Sequence, residues 1–298
     1  MKSPRLLAVL FIGLIAPILA QIPVAAATNA ATNHCLWEVK GASNTVFLVG
    51  SMHLMRDDMY PLPEVFESAF KRSSIAVFET DMKAVQSPAL ALKLAAKAMY
   101  PEGESLKKNL SPATYSLLAS NLQSSFLSLE VIDRMKPWMA AMTMLLMELQ
   151  KEGFDVQNGV DKHFYSRAVA DGKKVDYFEP PDFQINLLTS LDNHEGEEFL
   201  GQAMRDMSVW KKQFADLAQA WRTGDTAALD KLVVDSFREY PAMLKKFLLD
   251  RNAAWIEKTE KLLHDEKDAI IIVGAAHLIG KGSVVDLLQA KGYQITQR

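Results

Sequence analysis

Ala269-Ile270-Ile271-Ile272-Val273 runs directly into Gly274-Ala275-Ala276-His277-Leu278. Four of the first five residues are β-branched, which suits a strand covered on both faces. The glycine allows a tight turn, and the histidine then stands just past the strand's C-terminal end. Thr45-Val46-Phe47-Leu48-Val49 leads in the same way into Gly50-Ser51-Met52-His53-Leu54. The two segments share Val, Gly, His and Leu at matching places. Open α/β sheets bind ligands at the C-terminal ends of their strands. The pattern therefore predicts an α/β (α+β) protein whose central mixed sheet presents its site at those ends.

Working outward, Cys35 to Lys40 alternates, meets Gly41-Ala42-Ser43-Asn44 and is followed by Thr45 to Val49, which reads as a hairpin. Ser74 to Phe78 is a further buried strand, Val175 to Phe178 a weaker one, and Tyr293 to Thr296 a last one. The sequence between them has helical spacing. Pro63–Lys71 is a short helix, and Pro88–Tyr100, Pro112–Leu122 and Pro137–Lys151 are longer ones, each opened by a proline suited to a first turn. Asp182–Leu191, Gly196–Arg222, Thr226–Phe237 and Ala242–His264 continue the series, with Gly224-Asp225 as a helix-to-helix turn. Met135, Met139, Met142, Met144 and Met147 read as a core helix rather than a soft ligand surface. No Pro/Gly/Ser linker or charge block divides the chain, so the reading is one domain with large helical insertions.

Two predicted strands end in acid. Glu79 follows Phe78, with Asp81 two residues on, and Glu179 follows Phe178. Buried carboxylates need a partner or a cation. Two imidazoles and one or two carboxylates form a plausible shell for a divalent metal with open positions for water. The alternatives are a salt bridge, with Arg251 as the partner of Glu79, and a turn cap for Glu179. Arg251-Asn252 sits inside an apolar helical run, where the arginine either holds a carboxylate or oxyanion or pairs with Asp250. His163 follows Gly159-Val160-Asp161 at a helix start, which suits a structural or supporting role. His34, His194 and His264 have no comparable setting. The chain has no His-Glu-x-x-His helix, Gly-x-Ser-x-Gly elbow or phosphate-binding loop.

Composition narrows the function classes. The 298 residues are 49% hydrophobic and 23% charged, with a formal net charge of −3, which is ordinary for a globular chain. Such a balance gives no footprint for nucleic acid. The single cysteine, Cys35, excludes an internal disulfide and has no evident base to make it a nucleophile. Lys2 and Arg5, the apolar stretch Leu6 to Ala20 and the small residues Ala25-Ala26-Ala27 follow the plan of a secretory signal peptide over residues 1–27. Cleavage is expected after Ala20 or Ala27, which gives an exported protein, periplasmic or secreted, without stable membrane insertion. Losing Lys2 and Arg5 moves the net charge from −3 to −5. Asn33 and His34 before Cys35 do not suit lipidation.

Taken in order, several short pieces resemble the TraB/GumN (TraB/PrgY/GumN) family, which is related to the Tiki metalloproteases. They are Leu36-Trp37-Glu38-Val39, Gly50-Ser51-Met52-His53, Pro61-Leu62-Pro63 and Phe78-Glu79-Thr80-Asp81. Gly159-Val160-Asp161 with Phe164, Phe178-Glu179 with Gln184, Asp250-Arg251-Asn252 and Val273 to Leu278 follow. The resemblance covers residues 35–298. It implies a metal-dependent peptidase whose manganese or cobalt ion, or zinc, is held by His53, His277 and Glu79. It also places Arg251 and Asn252 at the site. On this reading Glu79, Arg251 and Glu179 are the catalytic candidates, with Glu179 or Asp81 as general base. Asp81, Asn252 and His163 support the shell, and the substrate is a peptide or protein. Two alternatives remain, namely a pheromone-shutdown-like protein that binds a peptide signal without cleaving it and a periplasmic haem- or iron-binding protein.

Overall fold

The computed structural model describes residues 33–123, 127–191, 193–207, 210–238 and 240–298. The expected signal peptide, residues 1–27, lies outside the described residues. The hairpin forms as expected: β1 (Leu36–Lys40) pairs antiparallel with β2 (Thr45–Ser51). β3 (Ile75–Thr80), β4 (Lys174–Glu179), β5 (Ala269–Gly274) and the short β6 (Ile295–Gln297) complete one six-stranded sheet. Its order is β4-β3-β5-β2-β1-β6.

The four strands β4, β3, β5 and β2 are mutually parallel, while β1 and β6 add an antiparallel edge. This is the mixed sheet of a single α/β domain. The chain leaves β2, crosses through the Glu64–Arg72 helix and returns as β3 two places away. β5 later fills the gap between them. All six residues of β5 are buried, as are all seven of β2, which is why both read as apolar rather than alternating. β4 is the edge strand on the parallel side and is only partly buried, which is why it read as the weaker candidate.

Register fixes the site. Ser51 lies opposite Gly274, Phe78 opposite Ile272, and Thr80 opposite Glu179. The four parallel strands therefore deliver His53, Glu79, Glu179 and His277 to one edge of the sheet.

The proline-led helices start where expected. Ser87 and Ser111 cap the first turns of Pro88–Ala98 and Pro112–Leu122, accepting from Leu90 N and Thr114 N at 3.3 Å. Pro137–Lys151 is a core helix that buries Met139, Met142 and Met144. Two expectations are corrected. The stretch read as one helix over Gly196–Arg222 is two, Asn193–Asp206 and Trp210–Arg222. The last two helical stretches are interrupted by π-helical turns at Asp230–Val234 and Lys245–Leu249. Among the described residues no helix is long and apolar enough to cross a membrane.

Candidate active site at the strand ends

Arg251 sits in the first turn of the Asp250–Leu263 helix and is buried. All five of its N–H groups have protein acceptors. Nε donates to Glu179 Oε1 at 2.6 Å, and Nη2 donates to Glu79 Oε2 at 2.7 Å and Glu179 Oε2 at 2.9 Å. Nη1 donates to Phe247 O at 3.2 Å and lies 3.1 Å from His277 Nε2. The salt-bridge alternative for Glu79 is thus present in the fold, and Glu179 shares it. Gln184 Nε2 donates to Glu79 Oε2 at 3.0 Å and Trp255 Nε1 to Glu179 Oε1 at 3.1 Å, so Glu179 is anchored behind the guanidinium.

The other Glu79 oxygen faces the two histidines. Oε1 accepts from Gly274 N at 2.6 Å and lies 3.8 Å from His53 Nε2 and 4.0 Å from His277 Nε2. Each imidazole is oriented through its far nitrogen. Asn252 Nδ2 donates to Gly282 O at 2.9 Å, which leaves Asn252 Oδ1 to accept from His277 Nδ1 at 2.6 Å. That contact assigns the proton to Nδ1 and a lone pair to Nε2. His53 Nδ1 lies 3.2 Å from Asp161 Oδ2, outside good hydrogen-bond alignment. Asp161 is itself fixed by Ser51, whose hydroxyl donates to Oδ1 at 2.9 Å and accepts from Asp161 N at 3.1 Å.

Glycines permit this convergence. A Cβ at Gly274 would lie 3.1 Å from His53 Nε2 and 3.2 Å from Glu79 Oε1. A Cβ at Gly159 would come within 2.5 Å of the His53 carbonyl oxygen, which explains the bare residue before Val160 and Asp161.

The charges shift one another. Burial alone would raise Glu79, but Arg251, the two imidazoles and the Gly274 N–H hold it well below the usual carboxylate range. Burial raises Glu179 in spite of Arg251, and the charge on Glu79 adds to that rise. Burial, then Arg251, pushes His277 down to about 3. Burial opposes charge on His53 as well, yet Asp161 and Glu79 carry it up to about 9. Strongly shifted groups in a cleft mark a functional site. A cleft opens over His53 and Glu79, lined also by Asp161, Gln184 and Arg251 together with Met82, Leu187 and Phe247.

Two nominated residues lie elsewhere. Asp81 caps the Met82–Val85 helix, accepting from Lys83 N and Ala84 N at 3.0 and 3.1 Å. His163 lies between Glu67 and Arg167 and against the Tyr60 ring. Three participants were not singled out for a role from sequence, namely Asp161, Gln184 and Trp255. Trp255 stands one turn after Arg251, over both Arg251 and His277. That i, i+4 spacing was the available signal.

The donor types suit a divalent cation. Glu79 and Glu179 share the one guanidinium and a third carboxylate, Asp161, faces His53, so carboxylates outnumber the cations of the cluster. The contact of His277 Nδ1 with Asn252, and the placement of Asp161 beside His53 Nδ1, are usual around metal-binding histidines. Among the described residues no three His, Cys, Asp or Glu side chains already stand in coordination geometry. The donor spacing of 3.8 and 4.0 Å exceeds the roughly 3 to 3.4 Å expected around a small cation. Loading a cation thus requires a slight contraction and release of His277 Nε2 from Arg251.

Fold and site together define a single-domain α/β protein with an imidazole–carboxylate–guanidinium cluster at its parallel strand ends. The chain belongs to the TraB/PrgY/gumN family, whose model matches residues 35–297. It is similar to the uncharacterized protein YbaP of Escherichia coli (strain K12), 23% identical over 261 residues that cover 86% of this chain and 94% of that protein. YbaP of Shigella flexneri is likewise 23% identical over 242 residues, covering 81% and 87%. No solved structure matches the chain.

Proposed function

We propose that the chain is an exported metal-dependent hydrolase that cleaves peptide bonds. The observation that carries this reading is the convergence of His53 Nε2 and His277 Nε2 on Glu79 Oε1. In each imidazole the other nitrogen is turned to an anchored oxygen. His53, His277 and Glu79 would hold a divalent cation, manganese or cobalt by the family resemblance, with zinc a further candidate. When bound, such an ion polarises a carbonyl and lowers the pKa of water towards 7.

The protein's own groups do the rest. Asn252 fixes the tautomer of His277, and Asp161 faces His53 Nδ1. Arg251 and Gln184 hold one oxygen of Glu79 and leave the other facing the cleft. Glu179, enclosed by Arg251 and Trp255, neutralises the guanidinium rather than reaching substrate. Arg251 can stabilise an oxyanion only after it gives up one of its present acceptors.

The test is incubation of the purified mature chain with a peptide library plus manganese, cobalt or zinc. Metal-dependent cleavage that is lost in both His53→Ala and His277→Ala supports the reading. Tight binding of peptides that stay intact would overturn it, as would a bound haem revealed by a Soret band.

A further inference from the structure

We infer that a second, apolar crevice beside His53 is the subsite for an apolar side chain of the substrate, next to the bond attacked. The inference rests on the hydrolytic reading above and goes on to name the residue class recognised. The crevice is open to solvent and shares His53 with the polar cleft. Its walls include Met52, Leu54, Phe214, Leu217, Trp221 and Ile279, all buried core residues.

Gly274 joins the two spaces. It lines the crevice, yet the volume beside its Cα is faced by His53 Nε2 and Glu79 Oε1. A residue whose side chain enters the crevice therefore brings its own backbone to the imidazole–carboxylate cluster.

The wall chemistry selects the occupant. Among the described residues no acidic, lysine or arginine side chain lines the crevice. The Ser51 hydroxyl is committed to Asp161 in both directions, and Trp221 Nε1 donates to Gly50 O at 2.7 Å. Apart from His53, no lining side chain among the described residues has a polar group left for a ligand. A charged or amide side chain placed there would be desolvated without a partner, whereas a leucine- or phenylalanine-sized one would replace water at an apolar wall.

The experiment measures binding separately from cleavage. N-acetylphenylalaninamide and N-acetylglycinamide are titrated calorimetrically into the mature protein in EDTA. The protein is compared with Leu217→Trp, which fills the crevice, and Leu217→Ala, which enlarges it. The phenylalanine probe is expected to bind about tenfold or more tightly than the glycine probe. Leu217→Trp should abolish that preference, with the thermal midpoint reported alongside. Leu217→Ala should shift preference towards N-acetyltryptophanamide. Equal binding of the two first probes by the native protein would overturn the assignment, and so would an unchanged preference in Leu217→Ala if Leu217→Trp does not fold. A retained probe preference without metal-dependent library cleavage would remove the hydrolytic reading while leaving an apolar ligand subsite.

Discussion

Gly274 has less room for change than any charged residue around it. An alanine Cβ there would press on His53 Nε2 and Glu79 Oε1 at 3.1 and 3.2 Å, in the space where the donors meet. Gly274→Ala is expected to lower stability by only about 1 to 2 kcal/mol, and to lose metal binding, read by calorimetric titration with manganese. Unchanged manganese affinity would exclude a cation at this point. Arg251→Met acts in the opposite way. It leaves Glu79 and Glu179 buried without their shared cation, which costs about 3 to 5 kcal/mol in urea unfolding at pH 7. Lowering the pH to 5.5 should restore part of that loss, because Glu179 is already raised by burial and Glu79 and takes up a proton first. The native protein, in which Arg251 offsets part of that rise, should recover less. At this scale the sequence exposed the paired histidines and the arginine, since each breaks an apolar context. Asp161 was disguised as an ordinary first-turn acid and Trp255 as an ordinary core aromatic, and only tertiary contact reveals their roles.

Among the elements, the joint between the loop after β2 and the Val160–Ala170 helix positions His53. Val160 N donates to Met52 O at 3.0 Å, and Gly159 lies against the His53 carbonyl. Gly159→Ala would force a Cβ against a backbone oxygen at 2.5 Å, and backbone yields less readily than a side chain. The expected result is a loss of about 2 to 4 kcal/mol in denaturant unfolding together with lost metal binding. A variant as stable as the native chain would show that the loop does not need this contact. Strands and proline-led helices were legible because β-branched runs and Ser-Pro starts act locally. The π-helical turns were not, because apolar spacing continues through them. The turn at Lys245–Leu249 matters for the site, since Phe247 O accepts from Arg251 Nη1 directly after it.

For the whole molecule, the two histidines tie folding to pH in opposite senses. His277, held near 3 in the fold against an ordinary 6.5, stabilises fully above about pH 6.5, and its contribution is lost as pH falls towards 3. His163, lowered by burial and Arg167, adds to that limb. His53, raised to about 9, stabilises fully below about pH 6.5, and its contribution is lost as pH rises through 9. Between pH 5.5 and 9 the metal-free chain should therefore be most stable near pH 6.5. The limbs should approach about 1.4 kcal/mol per pH unit where one proton separates folded from unfolded chain. Urea unfolding in EDTA across that window measures both limbs. His53→Gln should flatten the alkaline limb and leave the acidic one, and an unaltered alkaline limb would show that His53 is not charged in the fold. A cation bound to His53 must displace its proton, so manganese should stabilise the native protein more at pH 8.5 than at pH 6. Equal stabilisation at the two pH values would mean that manganese binds without using His53, and the proposed metal site would have to be redrawn without it.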